Sequence, residues 1–228
     1  MENLPFYIIV FFLATVGLAL CLFVYTTKYK LSVAIVALAW LAVTGILSWK
    51  GFFKNTSVIP PRLLLVMLPA IMFVVLAMIT KRGRRFIDEL NLKKLTILHI
   101  VRIPVELVLY WLAAQKTIPE LMTFAGRNFD ILSGITAPII YSICFKGSEL
   151  INRKLLLVWN FICLGLLLNI VINAILAAPF PFQQFAFDQP NIAIFYFPFA
   201  WLPVFIVIVV LFGHLAAIRK LIKASDHS

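Results

Sequence analysis

Leu95-Thr96-Ile97-Leu98-His99-Ile100-Val101-Arg102-Ile103-Pro104-Val105-Glu106-Leu107-Val108-Leu109-Tyr110-Trp111-Leu112-Ala113-Ala114 is the stretch that decides the fold. As an α-helix, a run of ~20 residues reaches about 30 Å, the thickness of a bilayer's hydrocarbon core. Apolar side chains fill most of it, without the alternation of period two that a barrel strand would show. His99, Arg102, Glu106 and Tyr110 recur at spacings of three and four, so they share one helix face. The run predicts a membrane-spanning helix that carries a polar stripe.

Similar apolar runs lie on both sides of it, near Pro5–Tyr25, Leu31–Trp49, Leu63–Thr80, Ile131–Phe145, Leu155–Ala177 and Ile194–Ile218. The run near Ile131–Phe145 is the shortest and least apolar of them. Over the whole 228-residue chain, 63% of residues are apolar and 13% charged. A soluble domain carries about half and a quarter. The composition excludes a soluble enzyme, a nucleic-acid-binding domain and a disordered tail. In lipid each backbone polar group must find its partner within its own segment, which selects helices. The expectation is an all-α, polytopic integral membrane protein: one domain, 1–228, built as a bundle of about seven transmembrane helices. A plasma or bacterial inner membrane is the expected location. Met1-Glu2-Asn3-Leu4-Pro5 lacks the basic stretch of a signal peptide, so the first run reads as a permanent span.

Charge supplies the orientation. Twenty Lys and Arg stand against nine Asp and Glu, a net charge of +11. Fourteen of the basic residues fall in the connections after the first, third, fifth and seventh runs, five fall on the opposite side, and Arg102 alone lies within a span. The positive-inside rule then places the N-terminus outside and the C-terminus in the cytoplasm. The same loops are expected to meet anionic lipid headgroups, and no nucleic acid is expected. Lys81–Leu90 reads as a solvated topology determinant, with a short interfacial helix as the alternative. Pro179–Pro198 mixes seven aromatic residues with amides and reads as a headgroup-level anchor, with a lid over the bundle's outer mouth as the alternative.

Ionisable residues inside a span cost at least ~2.5–3.5 kcal/mol each and need a reason to be there. Arg102 and Glu106 are four apart and expected to pair along the helix. Pro104 between them frees the carbonyl of Ile100 and predicts a kink. The pair reads either as a packing element or as a solute, proton or ion site beside a water-filled cavity. In the fifth run Asp130, Ser133, Gly134, Ala137 and Tyr141 share a face, and small residues there admit a neighbouring helix. Asn128 or Asp130 reads as the N-cap of that helix, and Arg127 with Asp130 as a candidate outer gate pair. Asn160, Asn169 and Asn173 in the sixth run read as interhelical hydrogen-bond formers. His214 and His99 each lie five residues from a basic boundary residue, which predicts similar depth.

The leading functional expectation is binding or transport of a small solute or ion, with proton coupling. The site would comprise His99, Arg102, Glu106, Tyr110 and Tyr141, with Arg127, Asp130, Asn160, Asn169, Asn173 and His214 as secondary polar contacts. No cofactor and no metal site are expected; the alternative cofactor is haem, held by His99 and His214 in a redox or other membrane-embedded enzyme. A structural or accessory subunit of a membrane complex is the third reading. Cys21, Cys144 and Cys163 lie in apolar runs without a CxxC pair, so neither a disulfide framework nor a zinc site is expected. The seventh run holds no lysine for a retinal Schiff base, and HExxH, GxSxG and P-loop motifs are missing from the chain.

Overall fold

Runs this apolar bury their backbone polar groups in helices wherever the residue count allows it. The computed structural model describes residues 4–147 and 149–223. Helices α1 (Phe6–Thr26), α2 (Lys30–Trp49) and α3 (Arg62–Ile79) lead into the short α4 (Lys81–Asp88). Then come α5 (Leu92–Leu98), a 3-10 turn at His99–Val101 and α6 (Arg102–Ala114). Helices α7 (Ile131–Cys144), α8 (Arg153–Leu176) and α9 (Val207–Lys223) complete the bundle, with a π-helical turn at Leu202–Ile206 before α9. Phe145–Lys146 and Glu149–Leu150 pair as a two-residue hairpin, a minor departure from an all-α chain.

Among the described residues, six helical stretches are long and apolar enough to cross a membrane: Phe6–Thr26, Lys30–Trp49, Arg62–Ile79, Leu92–Ala114, Arg153–Leu176 and Leu202–Lys223. The element expected near Ile131–Phe145 is a helix of 14 residues, about 21 Å at 1.5 Å per residue and short of the hydrocarbon core. It is cut at one end by the turn through Arg127–Asp130 and at the other by the hairpin. Apolar side chains cover the outside of the bundle, among them Leu31, Val36, Ile46, Leu68, Met72 and Ile162, each more than half exposed. Such a surface is compatible with contact with a lipid bilayer.

Helix α9 stands at the centre. In its stretch 67% of the apolar residue window is buried, against 22% for α3. Between α2 and α3 opens an apolar groove of about 930 Å³ with Val209 and Phe212 of α9 in its lining. A π-helical turn leaves carbonyls without their usual partners. The indole N–H of Trp40 on α2 donates to Val204 O in that turn at 2.9 Å, and Trp201 returns a bond to Leu41 O at 3.0 Å. Trp40→Phe removes one donor and leaves a buried carbonyl bare. Its expected cost is about 1–3 kcal/mol, measurable as a lower midpoint in denaturant unfolding of the purified protein.

The basic connections gather at one end. Asn91 N donates to Thr26 O, Asp88 pairs with Lys223 at 2.7 Å, and Glu89 pairs with Lys28 at 3.2 Å. Lys81–Asp88 is a helix here, its Thr80 cap accepting from Gly83 N. The Tyr29 hydroxyl, followed by the Lys28 ammonium, holds the Glu89 carboxyl below the usual carboxylate range, and the bond to Glu89 raises Lys28. The sign follows from those directions. Glu89's contribution is present above its unfolded value of ~4.3 and lost as pH falls through its lowered folded value. Lys28 is exposed and Glu89 only partly buried, so solvent screens the pair and Glu89→Gln should shift Tm only slightly, with the difference shrinking in high salt.

At the opposite end, the segment 177–198 folds back onto the bundle. Asn191 N donates to Ala177 O, and Ile192 N and Ala193 N both donate to Thr117 O. Its aromatic residues divide: Phe180 and Phe195 are buried, whereas Phe187 is 70% exposed. The segment covers that end of the helices, with its rings divided between the interior and the surface.

Candidate functional site

Glycine at position 134 assembles the buried cluster. A Cβ there would lie 2.8 Å from Ile103 Cγ1 and 3.0 Å from Ile103 N. Only glycine lets α7 lie this close to the start of α6, and Asp130, one turn earlier on α7, thereby comes over Arg102. The Arg102 guanidinium donates to Asp130 Oδ1 at 2.6 Å and to Cys163 O of α8 at 3.3 Å. The expected pairing of Arg102 with Glu106 along one helix is therefore replaced by a pairing across two helices. The 3-10 turn at His99–Val101 starts a new helix at Arg102, just before Pro104, where the sequence predicts a kink.

On its other side Arg102 Nη2 meets His214 Nε2 at 3.1 Å, and His214 Nδ1 meets Asn160 Oδ1 at 2.9 Å. Guanidinium nitrogens only donate. His214 Nε2 must accept, so the proton sits on Nδ1 and is donated to Asn160. Asn160 agrees, since its amide nitrogen donates to Leu156 O at 2.8 Å and leaves its oxygen free to accept.

Glu106 has a different environment. Asn128 Nδ2 donates to Glu106 Oε1 at 2.6 Å and to Met122 O at 3.0 Å. Asn128 Oδ1 accepts from Asp130 N at 3.0 Å, so Asn128 ties the Glu106 carboxylate to the backbone at Asp130 and does more than cap a helix. Asp130 makes no capping bond. Glu106 Oε2 and Arg102 Nε, both buried, have no hydrogen-bond partner among the described residues. Arg102, Glu106 and Asp130 together line a cavity of about 90 Å³. The rest of its wall is apolar, including Leu63 and Met67 of α3, Ile170 of α8, and Phe180 and Ile194 of the covering segment.

The other expected site residues separate from this cluster. Tyr110 is 46% exposed and stacks on Phe124. Tyr141 lies at the far end of α7 against Phe145, with Lys93 over its ring. Arg127 does not pair with Asp130; its guanidinium lies over Phe185 and its carbonyl accepts from Asn169. Asn173 donates back to Asn169 within α8. Residues that the sequence reading passed over are Asn128 as a ligand of Glu106, the Cys163 carbonyl, and Trp159, whose ring edge packs on His99.

The two histidines do meet, with ring centroids 3.8 Å apart and planes 13° from parallel. Haem ligation by both would place the rings end-on to one iron from opposite sides of the macrocycle. Stacked rings leave no room for it, and both nitrogens of His214 are already engaged. The haem reading does not fit these residues. Among the described residues no group of three or more His, Cys, Asp or Glu is placed to hold a metal ion. His99 is fully buried, and neither of its nitrogens has a partner.

No curated protein and no solved structure matches the chain. A family described as a domain of unknown function (DUF8737) matches residues 59–222, the stretch that holds every residue of this cluster. With well over half of its length matched, the chain belongs to the DUF8737 family.

Proposed function

We propose that this chain is a seven-helix membrane protein, N-terminus outside, that binds and passes a small solute in exchange for a proton at Glu106. The orientation is supported by the basic residues, fourteen against five between the two sets of connections. The 14-residue α7 completes the seven because a short element is tolerated at membrane depth when protein surrounds it and its flanking turns.

One observation carries the functional reading: Glu106 Oε2 is buried and bare at the wall of the cavity. Arg102 already has its counter-charge in Asp130, and two further acceptors fix its position. Glu106 has only the Asn128 amide. A carboxylate in apolar surroundings without a counter-ion costs several kcal/mol, so a proton or a ligand must complete it. Proton and ligand then compete for one oxygen, which is the minimal requirement for coupled exchange.

Infrared difference spectra across about pH 5–9 test this, because a protonated carboxylic acid has a carbonyl stretch that disappears on ionisation. The expected result is one titrating carboxylic-acid band that is absent from Glu106→Gln, with that variant folding within about 1 kcal/mol of the wild type. A spectrum identical in wild type and variant at every pH overturns the proposal.

A further inference from the structure

We infer that the solute is a small organic ammonium ion with an apolar body, taken up with its charged group on Glu106; the inference rests on the proton-exchange reading above and names its substrate class. Three features of the cavity lead to it. The first is charge. Arg102 and Asp130 cancel at 2.6 Å, so the only formal charge on the wall without a partner is negative, on Glu106. An anionic solute would find only the Arg102 Nε free, on a guanidinium already neutralised by Asp130, and it would arrive beside two carboxylates.

The second feature is the wall. An inorganic cation such as sodium or calcium gives up its water only for several oxygen ligands at once. On this wall, among the described residues, only Glu106 Oε2 and the second oxygen of Asp130 are carboxylate oxygens without a hydrogen bond, fewer than such an ion needs, and the remaining lining beyond Arg102 is aliphatic, with two methionine thioethers and one phenyl ring. An alkylammonium matches this division. Its N–H groups donate to the carboxylate, and its carbon chain takes the place of unfavourable water against Leu63, Met67 and Ile170.

The third is size. A dry apolar cavity of ~150 Å³ takes up benzene, and this one is about 90 Å³. It suits a chain of about two to four carbons and excludes a bulky quaternary ammonium. The exchange is balanced: R-NH3+ plus the protonated Glu106 gives the ammonium–carboxylate pair and one released proton. No bond other than O–H is broken.

The test uses the purified full chain in nanodiscs in weakly buffered solution, with propylammonium chloride as the probe and a pH-sensitive dye as the readout. Sodium propionate, of similar size and opposite charge, is the first comparison, and sodium chloride and tetrabutylammonium chloride are the others. Propylammonium should release close to one proton per chain and raise Tm, and the three comparison salts should do neither. Glu106→Gln should abolish proton release and weaken the Tm response at least tenfold in ligand concentration. Ile170→Phe, which fills the cavity and keeps Glu106, should weaken the response while the carboxylic-acid band remains.

Binding of propionate instead of propylammonium overturns the ammonium assignment and leaves the proton-exchange reading standing. Sodium chloride releasing the same proton, or propylammonium acting equally on Glu106→Gln, overturns it as well. No response to any salt, with a normally titrating carboxylic-acid band, again removes only the ammonium. Loss of the band together with the response removes both readings.

Discussion

Asp130→Ala lowers the unfolding free energy by about 3–5 kcal/mol, because it leaves a guanidinium buried without its counter-charge. The Arg102 side chain is 3% exposed and the Asp130 side chain 7%, so water cannot replace the lost carboxylate. Asp130→Asn keeps the shape and a weaker hydrogen bond, and its cost should fall toward the lower end of that range. The double variant Arg102→Met/Asp130→Leu separates the worth of the pair from the penalty of breaking it. Replacing a buried pair by apolar groups of similar volume is often neutral. Here it also deprives His214 Nε2 of its donor, so recovery should stop about 1 kcal/mol short of wild type. Denaturant unfolding in micelles of the wild type, Arg102→Met, Asp130→Leu and the double variant forms a double-mutant cycle. If the two single substitutions add without coupling, Asp130 is not the charge that Arg102 depends on.

That partner was the least legible part of the site. Helical periodicity places His99, Arg102 and Glu106 on one face, and all three are buried in the structure. It can only offer Arg102 a partner on its own helix, and the nearest carboxylate in sequence is Glu106. The actual partner lies 28 residues away, at the start of another helix. Nothing in a one-dimensional pattern ranks a contact across helices above a contact four residues on. Tyr110 lies apart from the cluster for a different reason. It continues the stripe arithmetically, but by its position the helix has left the centre of the bundle, and the ring stacks on Phe124 at the surface.

Other features could be read correctly because they depend on local chemistry. Length and apolar content locate six of the long helices, since both requirements are set by the hydrocarbon and not by the neighbours. The equal spacing of His99 and His214 from their boundary bases predicted similar depth, and their rings stack. Their surroundings were not legible. Gly213 lets α9 approach, with its added Cβ only 3.1 Å from Leu98 Cδ2 and 3.4 Å from His99 Cε1. The central place of α9 was hidden in the same way. Its stretch is no more apolar than α1, whose hydropathy is 2.7 against 2.3, and only packing distinguishes them.

At Gly134 an added side chain should loosen the buried ion pair. A Cβ at that position would sit 2.8 Å from Ile103 Cγ1, 3.0 Å from Ile103 N and 3.3 Å from Arg102 Cβ. The side-chain atom can rotate away, but the backbone nitrogen cannot. Helix α7 must then move outward, which stretches the Arg102–Asp130 bond from 2.6 Å and uncovers the partly apolar seam between α6 and α7. Overpacking of this kind costs about 1–3 kcal/mol, and loss of the ion pair adds to it, so Gly134→Val should approach the Asp130→Ala value. Gly165 on α8 is the internal control. Nothing lies within 4 Å of a Cβ built there, so Gly165→Ala should be neutral or stabilising by about 0.5–1 kcal/mol, the ordinary gain within a helix. Two further comparisons isolate the mechanism. Ile103→Ala in the Gly134→Ala background should restore only part of the loss, because the contact with Ile103 N remains. Asp130→Ala should cost less in Gly134→Val than in the wild type, because the pair it removes is already strained. Full rescue by Ile103→Ala, or an undiminished cost of Asp130→Ala, shows that close approach at Gly134 does not hold the ion pair together.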